Sequence, residues 1–391
     1  MFNLPHDVET IITTIEDAGF SAWCVGGCVR DMLMGKTPSD YDIASSAPCE
    51  IIQSLFKKTV PTGIKHGTVT VIENGIPYEI TRFRVDGEYN DNRHPNVVDF
   101  TTDFALDLSR RDFTINAIGY NSSYGVYDIF GGREDIKNGI VRTVGNPNER
   151  FLEDALRILR AVRFASVLEF SIDQATKSAL ISNACLLENI AAERISVELI
   201  KTLSGNKPSH IADIILVGGL KSFGIENYNC DKLDSIPNIP LLRLAVICVT
   251  GGADAEIVAN SLKLSNSQKT GLLAYYKILE LKNIELHNLK TYAEYVEYGS
   301  LEQAVIAYGI VNGCNTEKIS KQIKKAAENN EPYCVAMLKI SGDDLISIGY
   351  SGREIGKVQS ALLEEVLLNP QHNNKEALIK LSESIKDKIK L

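Results

Sequence analysis

The chain begins with the pattern of one amphipathic helix and then changes to the pattern of short strands. Asp7–Ala18 carries isoleucines at helical spacing, with Asp7 as a candidate N-cap and Gly19 just past the end. The strand patterns that follow are Ala22–Val25, Asp40–Ala44, Thr68–Ile72 and Tyr78–Val85. The last two flank Asn74-Gly75, a pair that suits a tight hairpin turn. We therefore predict a mostly antiparallel or mixed sheet before about residue 130.

The rest of the chain has a different pattern. From Glu149 onward the periodicity is helical almost throughout, and no strong strand run follows Val144. The fold class that we predict is α+β, a small α/β head followed by a long helical remainder. No apolar run reaches the ~18 residues that a membrane-spanning helix needs, and Met1–His6 lacks the features of a targeting segment. We expect a cytoplasmic protein with no membrane partner.

Composition narrows the function without deciding it. The 391 residues are 44% hydrophobic and 23% charged, which is ordinary for a globular protein and excludes a disordered chain. A net charge of −9 argues against a surface coated with basic residues, although a local basic groove for RNA is compatible with it. Cys24 and Cys28 have no second cysteine pair or histidine cluster to complete a zinc site. We interpret the eight cysteines as reduced, mostly buried thiols.

An acidic pair and a glycine pair upstream of it carry the first chemical signal. On the predicted strand, Asp40 and Asp42 project from the same face because residues i and i+2 do so. Such a pair is either solvated or holds a divalent cation, and carboxylate oxygens suit Mg²⁺. Gly26 and Gly27 let the backbone approach a triphosphate, and Arg30 offers hydrogen-bond donors to its oxygens. Together these residues match the signature of polymerase-β-like nucleotidyltransferases.

Further motifs follow in a fixed order, and they identify a family. The ordered segments are Gly26–Asp42, Thr62–Val69, Asp107–Ala117, Asp128–Gly132 and Arg150–Phe164. This set resembles that of the class II CCA-adding enzymes, the bacterial and eukaryotic tRNA nucleotidyltransferases, and of the related poly(A) polymerases. The resemblance covers roughly residues 20–205. It implies a polymerase-β-like nucleotidyltransferase head with a small mixed sheet (1–140), then an all-helical neck for base recognition (141–205), a body (206–285) and a tRNA-binding tail (286–391).

The resemblance also implies roles for particular residues. Asp40 and Asp42 would be catalytic and would hold Mg²⁺, and Glu79 is a candidate third carboxylate, although an exposed strand glutamate explains it equally well. The nucleotide-binding residues would be Gly27, Arg30, Arg111, Asp154, Arg157, Arg160 and Arg163.

The segment around Asp154 has its own physical interpretation. As one helix over Arg150–Phe164 it would bury a stripe at Leu152, Leu156 and Leu159, and the opposite face would carry Arg150, Asp154, Arg157 and Ala161, with Arg160 and Arg163 off that face. Aspartate accepts hydrogen bonds and arginine donates them. Cytosine and adenine both present an amino donor beside a ring nitrogen acceptor, whereas uracil and guanine present a carbonyl acceptor beside a ring N–H donor. Asp154 and Arg157 could thus select C and A, or they could form a surface ion pair.

The implied enzyme adds C, C and A to the 3′ end of tRNA from CTP and ATP, without a template and by two-metal phosphoryl transfer, as a monomer or homodimer. Rivals with the same chemistry are an A-adding enzyme, a CC-adding enzyme and a poly(A) polymerase. Asp86–Pro95 resembles the loop that full CCA-adding members keep and CC-adding members lack. An inactive RNA-binding homologue is the rival from another class, and it would be expected to lose one aspartate of the acidic pair.

Overall fold

The computed structural model describes residues 2–86, 98–229 and 231–389. Its internal contacts divide the chain into two compact units, Met1–Ser222 and Phe223–Leu391. The division into head, neck, body and tail remains a prediction. Asp86–Pro95 lies outside the described residues except for its first position.

The first unit combines strands with helices. Its described strands are β1 (Ala22–Val25), β2 (Ile43–Ser45), β3 (Thr59–Gly63), β4 (Thr68–Glu73), β5 (Ile76–Arg82), β6 (Arg84–Asp86), β7 (Val98–Phe100), β8 (Gly119–Asn121), β9 (Gly125–Tyr127), β10 (Ile140–Val141) and β11 (Ser171–Ile172). Its described α-helices are α1 (His6–Asp17), α2 (Gly27–Leu33), α3 (Cys49–Leu55), α4 (Phe104–Ser109), α5 (Gly132–Asn138), α6 (Pro147–Glu153), α7 (Leu156–Leu168), α8 (Gln174–Asn183), α9 (Ala192–Leu203) and α10 (Ala212–Ile215).

Seven of the described strands form one mixed sheet in the order β3-β4-β5-β2-β1-β8-β9. β2 and β5 are parallel and the other neighbours are antiparallel, which confirms the predicted mixed sheet. Ile11, Ile12 and Ile15 of α1 are buried in the core that this sheet shares with its helices. The central strands β1 and β2 therefore fix the position of the turn that follows β1 and of the loop that precedes β2.

The hairpin turn between β4 and β5 was predicted correctly from the residue pair Asn74-Gly75. Glu73 pairs with Ile76 across a two-residue turn, and Asn74 and Gly75 both have positive φ, 48° and 84°. Positive φ at both central residues is the requirement of the turn that matches strand twist, and Asn-Gly meets it best. The predicted N-cap at Asp7 is wrong, because the helix begins one residue earlier and Asp7 instead accepts a hydrogen bond from Asn74 Nδ2 at 2.8 Å.

Two strand predictions need correction. The predicted strand Asp40–Ala44 begins at Ile43, so the acidic pair precedes β2. The predicted strand Tyr78–Val85 is divided into β5 and β6, and β6 pairs with β7 in a separate sheet. The prediction of no strong strand run after Val144 is consistent with the structure, in which the described residues beyond it include only the two-residue strand β11, paired in parallel with β10.

The second unit is helical in its described residues. Its α-helices are α11 (Pro240–Gly251), α12 (Ala255–Ser261), α13 (Asn266–Leu279), α14 (Leu286–Lys290), α15 (Ala293–Asn312), α16 (Glu317–Glu328), α17 (Gly342–Ser347), α18 (Arg353–Leu368) and α19 (Lys375–Ile389). α13 packs against both α11 and α15. Capping boxes at Ser265 and Ser341 fix the starts of α13 and α17. Across the described ranges, no helix combines the length and apolarity that crossing a membrane requires.

Candidate active site

Side chains from distant parts of the first unit meet around one open cavity of about 760 Å³. The sequence-predicted residues that line it are Gly27, Arg30, Asp40, Asp42, Arg111, Asp154, Arg157, Arg160 and Arg163. The lining residues that were not predicted as site residues are Gly26, Arg110, Asp112, Asn116, Phe164, Val167, Leu168, Lys201 and Ser204. Of the candidate site residues, Glu79 alone does not line this cavity.

The turn between β1 and α2 brings the backbone to the edge of the cavity. Gly26 has φ 76° and ψ −127°, a conformation that side-chain-bearing residues rarely adopt, and its N–H donates to the Ile118 carbonyl at 3.2 Å. A Cβ at this position would lie 3.2 Å from the Arg111 guanidinium. Both the backbone conformation and the space therefore favour glycine here.

The acidic pair reaches the cavity from a loop. Asp40 and Asp42 lie just before β2, so the strand-face argument for their common direction is wrong, but both line the cavity. The Val25 N–H donates to the Asp42 carbonyl at 3.0 Å and so anchors this loop to the end of β1. Partial loss of hydration raises the pKa of the Asp42 carboxyl, and the charges of Asp40 and Glu79 raise it further, against the opposing effect of Arg111.

These two carboxylates fit a magnesium site that the substrate completes. Within the described residues, no group of three or more His, Cys, Asp or Glu side chains is arranged to hold a metal ion. Mg²⁺ is commonly bound by one or two carboxylates together with substrate phosphates, so two aspartates beside an open cavity are compatible with it. Glu79 is exposed on β5, and its charge is the smallest of the effects that raise the pKa of Asp42. Its role as a third ligand stays a prediction.

A chain of polar contacts crosses the cavity from α7 to α2. Arg160 Nε donates to Asp112 Oδ2 at 2.7 Å, and Asn116 Nδ2 donates to Asp112 Oδ1 at 3.1 Å. Asn116 Oδ1 in turn accepts from Arg30 Nη1 at 2.8 Å. Burial alone would raise the pKa of the Asp112 carboxyl, but Arg160 and the Asn116 hydrogen bond outweigh it and lower that pKa to about 2. The chain of contacts fixes two guanidinium groups relative to each other.

A second buried carboxylate fixes the neighbouring arginines. Asp107 lies on α4 and forms ion pairs with Arg110 at 2.8 Å and Arg111 at 3.2 Å. Burial would raise the pKa of Asp107, but these two guanidinium groups lower it overall. Arg111, predicted to hold the nucleotide, is thus oriented by a side chain that does not line the cavity.

The segment Arg150–Phe164, predicted to be one helix, is divided in two. α6 ends at Glu153, Asp154 is extended (φ −140°, ψ 103°), and α7 begins at Leu156. Asp154 Oδ1 accepts from the Leu156 N–H at 3.1 Å, which is the competition with helical hydrogen bonding that aspartate is prone to. The predicted buried stripe is consequently wrong at Leu152, which is 49% exposed. Ala161, predicted on the polar face, is fully buried.

The positions of the α7 arginines also differ from the prediction. Arg160 and Arg163 were predicted to lie off the face of Arg157, yet all three line the cavity. The ring of Phe164 lies beside them, with the guanidinium carbons of Arg163 and Arg160 at 4.2 and 5.4 Å from its centre. The three arginines recur at three-residue intervals within α7, so they lie on one broad side of that helix and the predicted separation is wrong.

Comparisons with known proteins identify the family. A family model described as "Poly A polymerase head domain" matches residues 22–142, and one described as "Probable RNA and SrmB- binding site of polymerase A" matches residues 169–215. A CCA-adding enzyme of Levilactobacillus brevis is 35% identical over 396 residues, which cover 96% of this chain and 98% of that protein. The chain belongs to the CCA-adding enzymes.

The predicted family is thus confirmed, and so is the prediction that the chain is a nucleotidyltransferase enzyme. A CCA-adding enzyme of Ligilactobacillus salivarius is 50% identical over 209 residues, 53% of this chain and 52% of that protein. The crystal structure of the Bacillus stearothermophilus CCA-adding enzyme in complex with CTP has a TM-score of 0.77 at 28% identity, covering 98% of both chains. A Thermotoga maritima CCA-adding enzyme complexed with tRNA shares the fold, with a TM-score of 0.65 at 23% identity over 97% of this chain and 94% of that one.

Sequence reasoning missed the partners that orient the CCA-adding site. Arg194 Nη2 on α9 donates to Asp154 Oδ2 at 3.1 Å, and Glu198 on the same helix pairs with Arg163 at 3.2 Å. Arg157 pairs with Glu153 at 2.5 Å, so the proposed Asp154–Arg157 surface ion pair is replaced by separate partners. Arg194 and Glu198 stand in no motif that was recognised, and they lie 40 and 35 residues from their partners. Helical periodicity could not have paired them.

The contacts of Asp112 predict an effect on the stability of this CCA-adding enzyme. Asp112→Asn removes the charge that pairs with Arg160, and breaking a buried ion pair typically costs 3–5 kcal/mol. Because the Arg160 side chain is 32% exposed, we expect a smaller loss of about 2–3 kcal/mol in the free energy of unfolding at neutral pH. Urea unfolding of both proteins measures it.

The pH dependence of this loss has a definite sign. The folded-state pKa of Asp112, about 2, lies below its unfolded value near 3.9, so the stabilisation is present above about pH 4 and is lost as the pH falls towards 2. The difference between wild type and Asp112→Asn should therefore shrink in that range. Asp17→Asn, exposed at the end of α1, is the control without an effect. A difference that stays constant down to low pH would contradict the assignment.

Proposed function

We propose that this enzyme adds the sequence CCA to the 3′ end of tRNA, using CTP and ATP as substrates and no nucleic-acid template. One observation carries the proposal. The acidic pair Asp40 and Asp42 shares a single cavity with Asp154 and Arg157, so a group that can support phosphoryl transfer lies beside a group that can read a base.

Base selection follows from hydrogen-bond polarity. Asp154 Oδ1 caps Leu156 and Oδ2 accepts from Arg194, which holds the carboxylate in one orientation while each oxygen keeps a further lone pair. Of the five N–H groups of Arg157, three bond to Glu153 and to two backbone carbonyls. Two remain for a ligand. The Asp154 acceptor beside the Arg157 donors matches the amino group and the ring nitrogen acceptor of C and A. In U and G a carbonyl oxygen and a ring N–H stand in their place, so the same two side chains disfavour these bases.

In the transfer step the tRNA 3′-hydroxyl attacks the α-phosphate on the side opposite the leaving pyrophosphate. The hydroxyl oxygen forms a bond to the α-phosphorus of CTP or ATP, the bond from that phosphorus to the bridging oxygen breaks, and pyrophosphate leaves. Asp40 and Asp42 would hold Mg²⁺, which when bound lowers the pKa of the hydroxyl and offsets the charge of the leaving group. Arg30 and Arg111 hold the phosphates, and their own partners keep them oriented.

The remaining predictions extend the proposal to the rest of the chain. The body (206–285) and tail (286–391) bind tRNA through shape and phosphate contacts rather than base sequence. Asp86–Pro95 supports the change from C to A addition, which favours a full CCA-adding enzyme over a CC-adding one. The cytoplasmic location and the monomeric or homodimeric state remain predictions from the sequence.

A direct assay separates the proposed activity from its rivals. Purified protein is incubated with Mg²⁺ and tRNA lacking its last three nucleotides, with CTP, ATP or both, and the product length is read on a gel. We expect two added residues with CTP alone and three with both nucleotides.

Each rival gives a different pattern. A CC-adding enzyme stops at two residues with both nucleotides, an A-adding enzyme extends only tRNA that already ends in CC, and a poly(A) polymerase forms long products with ATP. No extension of any tRNA would favour the inactive RNA-binding homologue.

A further inference from the structure

The positively charged groups of the cavity differ in how they are partnered. Each arginine that lines it is paired with a carboxylate of the protein. The pairs are Arg30 with Asp31, Arg110 and Arg111 with Asp107, Arg157 with Glu153, Arg160 with Asp112, and Arg163 with Glu198. Lys201 also lines the cavity, but within the described residues its ammonium group forms no ion pair and no hydrogen bond. Among the described residues that line the cavity, Lys201 is the cation without a carboxylate partner of its own.

Lys201 is not one of the residues proposed to read the base. It lies in the last turn of α9, one turn after Glu198, which pairs with Arg163. Ser204 follows it, and Val167 and Leu168 from the end of α7 line the same region. α7 and α9 pack closely together, so this region is formed by two fixed helices.

We propose that Lys201 is a phosphate-binding residue of this site, with its ammonium group binding either the β- and γ-phosphates of the incoming nucleotide or a backbone phosphate near the 3′ end of tRNA. The inference rests on the proposed function, because both phosphates belong to its substrates.

The charge balance of the site supports this assignment. A nucleoside triphosphate and a tRNA end bring several negative charges, while the carboxylate partners already offset much of the arginine charge. An arginine must share its donors between its carboxylate and a ligand, whereas Lys201 can bind a phosphate without weakening an internal ion pair.

A purely structural role for Lys201 predicts something different. A cation in the last turn of a helix stabilises the helix through its dipole, whatever ligand is present. Lys137 provides a matched control, since it lies in the last turn of α5, is exposed, and does not line this cavity. A dipole effect would appear as lower stability in both Lys201→Gln and Lys137→Gln, and it would not change phosphate affinity.

The experiment compares wild type with Lys201→Gln, Lys201→Arg and Lys137→Gln. Calorimetry gives the dissociation constants of CTP and of inorganic pyrophosphate without tRNA, and filter binding gives that of tRNA lacking its last three nucleotides. We expect Lys201→Gln to weaken one class of ligand roughly tenfold, Lys201→Arg to restore most of the affinity, and Lys137→Gln to match wild type.

The outcomes distinguish the source of the phosphate. Weaker CTP and pyrophosphate binding with normal tRNA binding assigns Lys201 to the nucleotide, and the reverse assigns it to tRNA. Unchanged affinity for all three ligands, or an equal loss in Lys137→Gln, overturns the proposal. Because these are binding measurements, a wild-type protein that bound phosphate through Lys201 but failed to extend tRNA would refute the proposed function and leave this inference standing.

Discussion

Asp40→Ala and Asp42→Ala are each expected to lower the rate of nucleotide addition by roughly a thousandfold or more, while tRNA binding and folding remain close to wild type. The two carboxylates lie side by side in the cavity and would be the protein's ligands for Mg²⁺. Both side chains are exposed to that cavity, so their loss removes little packing. Single-turnover addition of C at saturating CTP and Mg²⁺ measures the effect.

The controls separate metal binding from a general loss of negative charge. Asp17→Ala removes an exposed carboxylate at the end of α1, outside the cavity, and should react at the wild-type rate. Urea unfolding and tRNA binding of each variant test whether the protein is intact. A rate near that of wild type in either Asp40→Ala or Asp42→Ala would contradict the proposed role of the pair.

The acid side of the pH profile tests the same pair without a mutation. Because the pKa of Asp42 is raised, its carboxylate begins to bind protons at a higher pH than an ordinary aspartate. Protons and Mg²⁺ then compete for it, so activity should fall with decreasing pH, and more Mg²⁺ should move that fall to lower pH. A profile that does not respond to Mg²⁺ would place the titrating group elsewhere.

Local signals in the sequence were sufficient for some elements of the fold. The Asn74-Gly75 turn has both positive φ angles that its residues suit, and the isoleucines of α1 form a buried stripe. The start of β2 could not be predicted in this way. Asp40 and Asp42 alternate with apolar residues as a strand would, but ladder pairing with β1 begins only at Ile43. That start depends on the position of the neighbouring strand, which the local pattern does not contain.

The candidate site shows the same division between local and distant information. The motifs located the residues that line the cavity, because their types and order are characteristic of the family. Some of the residues that orient them lie far away in sequence, as Arg194 does for Asp154. Asp107 is local by contrast, three and four positions before Arg110 and Arg111, but no recognised signal marked it as their partner. The break at Asp154 was missed because apolar periodicity continues across it, while the side chain of Asp154 caps the next helix.

The partners of Asp154 determine what its replacement should do. One carboxylate oxygen is engaged with the Leu156 N–H and the other with Arg194, whose Nη1 is buried without a hydrogen-bond partner in the described residues. Arg194→Met would leave Asp154 anchored at one oxygen only. We therefore expect Arg194→Met to be intermediate between wild type and a variant that lacks the Asp154 carboxylate, because the carboxylate remains but its orientation is less restricted.

Asp154→Ala is expected to relax the discrimination against UTP and GTP by roughly 5- to 150-fold, which corresponds to the ~1 to 3 kcal/mol of a lost base contact. The acceptor that pairs with the amino group of C and A also repels the carbonyl oxygen that U and G present at that position. Its removal should therefore weaken the binding of CTP and ATP and remove the repulsion that disfavours UTP and GTP. Competition assays that pair CTP with UTP, and ATP with GTP, measure the ratio of kcat/KM values. Arg194→Met should give a smaller change in the same direction. Unchanged selectivity in Asp154→Ala would mean that Asp154 serves to start α7 and that the base is read by other groups.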